Sequence, residues 1–114
     1  MISREIIRGF IDSIILQVLI KEPNYGYQIS QEIETITQGK YLVKEATLYA
    51  SFKRLENKGY IESYMGSVTH GRARKYYRIT NIGKIYLEEK IIEWDKTKKI
   101  IDLFLRKEKQ NRFT

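Results

Sequence analysis

The chain has 114 residues, of which 42% are hydrophobic and 31% charged, a composition that folds and a length that suits one domain rather than two. It has no cysteine and one histidine, which excludes a disulfide framework and a cysteine nucleophile and argues against a zinc site. The net charge is +7, and the whole excess falls in residues 58–114, which hold fourteen basic and seven acidic side chains. A field of that sign favours a polyanionic partner.

The first predicted element is a mostly buried helix. Apolar residues at three- and four-residue spacing run from Ile7 to Leu19, and the helix is expected to end near Lys21 because Pro23 lacks an amide donor. Gln17 interrupts the longest apolar stretch, which is too short for a membrane span and has no cleavage-site pattern. We therefore expect a cytoplasmic protein without membrane contact.

A second helix is expected after the proline. Asn24 is its predicted N-cap, and Gly39 closes it. Ile29, Ile33 and Ile36 share one face, so this helix is short and amphipathic.

A third helical pattern runs from about Lys44 to Lys58 and is stopped by Gly59. Its apolar face carries residues at i, i+4 and i+7, namely Leu48, Phe52 and Leu55. The other face carries hydroxyl, aromatic and basic side chains: Thr47, Tyr49, Ser51, Lys53 and Arg54.

The hydrophobic period then changes from about 3.6 to 2, which predicts a β-hairpin. Its strands are expected at Tyr60–Met65 and Lys75–Ile79, with a basic-flanked loop bounded by Gly66 and Gly71. The tyrosines of the hairpin leave two interpretations open. They either form a stacking platform for single-stranded RNA or, as the stronger expectation, pack partly into the core: Tyr60, Tyr64, Tyr76 and Tyr77.

The last helix is predicted to begin at its N-cap, Thr80, and is unusually apolar for a chain terminus. One apolar line follows a 3.5-residue repeat that Lys98 interrupts: Leu87, Ile91, Trp94, Ile101 and Leu105. Because little chain remains to cover this line, we expect it to form the interface of a two-fold homodimer. Trp94 is then either part of the dimer core or half of an aromatic ligand slot made with its symmetry mate.

This order of elements predicts a mainly α (α+β) fold, a winged helix-turn-helix. We expect the winged domain over residues 1–80, the dimerisation helix over 81–107 packed on the same domain, and a basic tail over 108–114. In such a fold the third helix enters the DNA major groove and the wing reaches the backbone. The expected DNA contacts are Lys44, Thr47, Tyr49, Ser51, Lys53 and Arg54 on the helix, and Arg72, Arg74 and Lys75 on the wing.

Three other functions stay open. The main alternative is a winged-helix protein-interaction module without sequence-specific DNA binding, and a further one is an RNA-binding module. An enzyme is least favoured, since His70 stands alone in a loop and the aspartates show no acid-base or metal-ligand spacing: Asp12, Asp95 and Asp102. We expect no cofactor and no metal site.

Several stretches together resemble the PadR family of bacterial transcriptional regulators, and more narrowly its small LmrR-like members with one long C-terminal dimerisation helix. The matching stretches are Tyr25-Gly26-Tyr27, residues 45–49, 54–64 and 71–80, with Gly83 and Trp94. The resemblance implies a homodimer that binds a palindromic operator with the third helix and the wing.

The same resemblance implies a response to ligands. In the multidrug-type members, a paired tryptophan at the place of Trp94 helps to bind planar aromatic compounds, so we expect a repressor relieved by such a ligand at the dimer interface. Ile91 is expected beside Trp94 in the slot, and Asp12 offsets Lys98 and Lys99 if its helix lines the slot. The sequence departs from many family members at Ala46 and Ala50, which favour helix more strongly than the usual glycine and proline.

Overall fold

A computed structural model describes residues 3–69 and 71–106, and for residues 67–69 it describes the backbone only. The predicted positions of His70 and of the basic tail from 108 onward lie outside the described residues. In chain order the elements are α1 (Arg4–Arg8), α2 (Ile11–Leu19), β1 (Asn24–Tyr25), α3 (Gly26–Ile36), α4 (Glu45–Asn57), β2 (Ile61–Thr69), β3 (Arg72–Ile79) and α5 (Asn81–Leu105). The predicted mainly α winged helix-turn-helix is confirmed.

The N-terminal segment forms two helices, so the prediction of one continuous helix was wrong. α1 is capped by the Ser3 side chain, which accepts a hydrogen bond from the Ile6 amide, and it ends at Gly9. Glycine is a weak helix former, so α1 ends there. The next residue, Phe10, has φ −114° and is the N-cap of α2. The apolar spacing continues across the break because Ile7 and α2 pack against the same core.

Asn24 is not a helix cap, which corrects the second prediction. Asn24 and Tyr25 form a short strand, β1, that pairs antiparallel with Tyr77 and Tyr76 of β3. The sheet order is therefore β1-β3-β2, and β1 satisfies the edge of β3 that the hairpin leaves open. α3 follows directly and ends, as expected, before Gly39, which has φ +77° and donates its amide to Glu34 O at 2.8 Å.

α4 begins and ends within a residue of its prediction, and Gly59 with φ +76° stops it. The hairpin strands are longer than predicted, because pairing runs from Ile61↔Ile79 to Thr69↔Arg72 with one irregularity between Met65 and Val68. Gly66 is therefore a strand residue and not the start of a loop. Its missing side chain makes room for Tyr76, because a Cβ at position 66 would clash with the Tyr76 ring.

One apolar core joins the helices to one face of the sheet. Most of its buried members come from α2, α3 and α4, with smaller contributions from the sheet and α5; they include Ile11, Ile15, Leu16, Leu19, Ile29, Leu48, Phe52, Leu55, Ile61, Tyr77 and Leu87. Only the first two turns of α5 are anchored here, and Thr80 caps them by accepting the Gly83 amide at 3.1 Å, as predicted. In the described part of the chain, no helix has the length and hydropathy of a membrane span.

Candidate nucleic-acid interface

The outward face of α4 presents polar and aromatic side chains to solvent. Tyr49 and Lys53 lie one helical turn apart on one side of α4 and are exposed. Thr47, two residues before Tyr49, points to another side of the helix and is half-buried. Lys44 stands exposed at the N-cap position. Four of the six predicted DNA contacts on this helix therefore lie on a surface that a partner can reach.

The other two predicted contacts on α4 both bond to α2, and the structure corrects only that of Ser51. Ser51 has 0% exposure, because it lies three residues after Leu48 and four before Leu55 and so shares their buried face. Its hydroxyl donates a hydrogen bond to Asp12 of α2. Arg54 binds the same carboxylate but its side chain is 48% exposed, so its contact with DNA stays a prediction.

The wing and α4 meet at a small cleft. A cavity of about 190 Å³ is lined by the α4 residue Tyr49, by the first turn of α3, and by the basic start of β3, which carries Arg72, Arg74 and Lys75. Gly26 lets the Tyr49 phenol fit there, because a Cβ on this glycine would lie 2.7 Å from the Tyr49 hydroxyl oxygen. The three predicted wing cations and the helix thus form one continuous surface.

Two tyrosines that the sequence reasoning left without a role belong to this surface. The Arg74 guanidinium carbon lies 5.1 Å from the centre of the Tyr25 ring, a cation–π contact. The Arg74 Nε is buried and has no hydrogen-bond partner in the described structure. Tyr27 is exposed on the first turn of α3 in the same cleft. The Tyr25-Gly26-Tyr27 triplet was the available signal, but only the pairing of β1 with β3 brings it to the wing.

The hairpin tyrosines are packed against other rings, which favours the core interpretation over a stacking platform. Tyr77 has 3% exposure and stacks on Phe52 with ring centres 4.1 Å apart. Burial, with a smaller contribution from Glu56, raises the pKa of Tyr77 to about 12. Tyr60 likewise stacks on Tyr86 of α5 at 4.2 Å.

A second and larger cavity lies on the far side of α4. This space of about 820 Å³, here named the Trp94 cavity, is bounded by the α1–α2 turn, the first half of α2, α5 and Arg54. Phe10 contacts Trp94 edge to face, with ring centres 5.0 Å apart. All three predicted ligand residues line the cavity: Asp12, Ile91 and Trp94. Their role in binding a ligand stays a prediction.

The distal part of α5 exposes an apolar surface. Leu87 is an exception among the predicted interface residues: at 4% exposure it is part of the core of its own chain, one turn after the buried Gly83, and it is unavailable to a partner. The remaining predicted interface residues are exposed, and further apolar side chains flank them: Ile91, Trp94, Ile101 and Leu105, with Ile92, Ile100, Leu103 and Phe104. The dimer itself stays a prediction.

Metal-ligating side chains do not gather in the part of the chain that the structure describes. Across residues 3–69 and 71–106, no three His, Cys, Asp or Glu side chains are grouped so that they could hold a metal ion.

Comparison with known proteins places this geometry in a family. A model of the transcriptional regulator PadR-like family matches residues 15–89. A transcriptional regulator from Clostridium thermocellum is 48% identical, with a TM-score of 0.86 over 93% of this chain and 100% of that chain. A PadR family transcription regulator from Clostridium difficile R20291 is 40% identical, with a TM-score of 0.74 over 85% of this chain and 99% of that chain.

One further structure shows the fold with nucleic acid. Bacillus subtilis PadR, crystallised in complex with operator DNA, is 24% identical, with a TM-score of 0.64. The match covers 72% of this chain and 46% of that chain, and at this identity the likeness is one of fold.

Proposed function

Because the chain belongs to the PadR-like family of transcriptional regulators, whose members are not enzymes, we propose that it binds double-stranded operator DNA through α4 and the wing. The observation that carries this proposal is the cleft where Tyr49 meets Arg72, Arg74 and Lys75. A basic strand beside an exposed helix face can contact phosphates while the helix reaches base edges. A phosphate oxygen in this cleft would also satisfy the Arg74 Nε donor.

The contacts divide into two kinds. Arg72 and Lys75 are exposed on β3 and supply sequence-independent attraction to phosphates, whereas Tyr49 and Lys53 on α4 face the bases. Arg78, further along β3, pairs with Glu62 at 2.8 Å, so the basic character is concentrated near the wing tip. The relative whose structure holds operator DNA supports this docking through its shared fold.

We propose further that the protein is a homodimer formed by α5 and that it acts as a cytoplasmic repressor on a palindromic operator. The exposed apolar side chains of α5 support a second copy as their cover, because a helix of this kind is not stable in water without one. A two-fold dimer presents two α4 helices, which suit half-sites about one helical turn of DNA apart.

We propose that a planar aromatic compound in the Trp94 cavity relieves repression. The cavity has the volume of a small-molecule site and combines aromatic walls, Phe10 and Trp94, with a carboxylate, Asp12. Release of DNA requires the compound to favour a dimer geometry that no longer fits the operator.

The test uses the duplex upstream of the protein's own gene and a scrambled duplex of equal length and composition. Retardation of the upstream duplex at protein concentrations that leave the scrambled one free supports the regulator. Equal binding of both would instead leave only nonspecific attraction. Absence of DNA binding, together with capture of a protein through α4, would favour the alternative of a protein-interaction module.

A further inference from the structure

Asp12 belongs to two sites at once. Its carboxylate lines the Trp94 cavity and also holds two side chains of α4, the helix proposed to read DNA. The Ser51 hydroxyl donates to Oδ1, while Arg54 donates from Nη2 to Oδ1 at 2.8 Å and from Nε to Oδ2 at 3.2 Å. The bond to Asp12 is also the main cause that raises the pKa of Arg54. One side chain thus connects the cavity to α4.

The two links from Asp12 differ in how easily they can be replaced. Ser51 is fully buried, so breaking its bond would leave a buried hydroxyl without a partner. The Arg54 side chain is 48% exposed and itself lines the cavity, so water can replace the guanidinium at little cost. A group entering the cavity therefore competes with Arg54 for Asp12, and not with Ser51.

We propose that Asp12 is a positioning residue for α4 and that an amidinium or guanidinium group of a cavity ligand takes the place of Arg54 on its carboxylate. The exchange conserves the charge and the two-point geometry at Asp12. It also removes the ion pair that joins the last turn of α4 to α2. This inference deepens the proposed function and rests on it, because it specifies how the Trp94 cavity acts on the DNA-binding helix.

The other charged side chains of the cavity allow the contribution of Asp12 to be separated from the general electrostatic field. Arg8, Arg54 and Lys90 bring three positive charges, and Glu93 is the second carboxylate. The general field therefore does not attract a cation. Glu93 already accepts from Lys90, its neighbour on α5, at 3.4 Å. A preference for a cation over a neutral compound of the same shape that disappears when Asp12 is neutralised therefore reports direct contact with Asp12.

The experiment compares benzamidine with benzamide, which have nearly the same shape and differ in charge. Binding to the full chain is followed by the fluorescence of Trp94 at constant ionic strength, without DNA. We expect wild type to bind benzamidine about tenfold more tightly, a difference of ~1.4 kcal/mol. Asp12→Asn, which keeps the shape and an acceptor for Ser51, should reduce the ratio to about one. Glu88→Gln, which removes one negative charge from an exposed position of α5 outside the cavity, should leave the ratio unchanged.

Arg54→Gln gives a second and opposite expectation. Without the competing guanidinium, benzamidine should bind several-fold more tightly than to wild type. Hydrogen exchange reports the tether: saturating benzamidine should speed exchange of the α4 amides in wild type and have no further effect in Arg54→Gln. A wild-type ratio near one, a ratio that survives in Asp12→Asn, or α4 exchange that ignores benzamidine would each overturn the inference.

The outcomes separate this inference from the proposed function. If the ratios and exchange behave as expected but wild type does not retard its upstream duplex, DNA binding fails and the coupling through Asp12 stands. If the duplex is bound and the ratios do not follow Asp12, the regulator stands and the coupling fails.

Discussion

The Arg54 guanidinium and the Asp12 carboxylate form a two-point ion pair that joins the last turn of α4 to the first turn of α2. Since the Arg54 side chain is 48% exposed, this pair contributes only about 0.2–1 kcal/mol to stability. The buried bond from Ser51 to the same carboxylate is worth more, roughly 1.5–3 kcal/mol. Of the two polar links between α4 and Asp12, the one from Ser51 therefore contributes more, and Arg54 is the part of the network that can change partner.

Thr80 closes the junction between the wing and α5. Its hydroxyl accepts the Gly83 amide at 3.1 Å and donates to the Gly59 carbonyl at 2.6 Å. Thr80→Ala should lower the free energy of unfolding by about 1–2 kcal/mol, measured by urea denaturation. Thr80→Ser keeps the hydroxyl and should cost much less. Equal losses in both variants would show that the methyl group matters and the cap does not.

Tyr77 makes stability depend on alkaline pH. Because its pKa is raised to about 12 in the folded protein, from 10.0 in its ordinary state, the folded chain favours the neutral phenol. This contribution is fully present below about pH 10 and is lost as the pH rises toward ~12, by at most ~2.7 kcal/mol. Tyr77→Phe should have a flatter stability curve in that window, measured by denaturation at several pH values. Parallel curves for the two proteins would contradict the assignment.

Gly26 sets the position of Tyr49. In Gly26→Ala the new methyl group would lie 2.7 Å from the Tyr49 hydroxyl and 3.2 Å from Cζ, so the phenol must move. We expect operator affinity to fall about tenfold while stability changes by less than about 1 kcal/mol. In a Tyr49→Phe background, where the nearest atom is gone, the same substitution should cost less. Equal costs in the two backgrounds, measured by fluorescence anisotropy, would contradict this explanation.

Ile101 tests the proposed dimer. It is exposed on the apolar surface of α5, so Ile101→Lys places a charge in the proposed interface without disturbing the core. The dissociation constant of the dimer should rise at least about tenfold in sedimentation equilibrium. Glu89→Gln, exposed on the same helix, changes the net charge by the same amount and should leave the dimer intact. An unchanged mass for Ile101→Lys would remove this surface as the interface.

The spacing of apolar residues predicts which side of each helix is buried, but it does not predict every helix boundary or every buried polar residue. Ser51 lies three residues after Leu48 and four before Leu55, on the helix face that these leucines bury. Its burial could therefore be predicted from the spacing alone. Its hydroxyl is the feature that favours a DNA contact in the sequence. The break at Gly9 was hidden, since Ile7 and Ile11 keep helical spacing across it.

Contacts between distant segments could not be predicted from one sequence. Asparagine is a residue type that favours the N-cap of a helix. Only the pairing of Asn24 with Tyr77 of β3 makes it a strand residue. Leu87 fits the apolar line of α5, yet its position one turn after Gly83 places it in the core. In both cases a contact with a distant segment of the chain determines the structure, and the local sequence pattern does not.

The most direct test of DNA binding by α4 and the wing is the salt dependence of affinity for the upstream duplex. Fluorescence anisotropy at several salt concentrations should give a linear fall of log K with log salt, because bound cations release counterions from the phosphates. Arg72→Ala should reduce the slope by about one and weaken binding to all duplexes alike, whereas Lys99→Ala on α5 should do neither. An Arg72→Ala slope equal to that of wild type would contradict the role proposed for the wing.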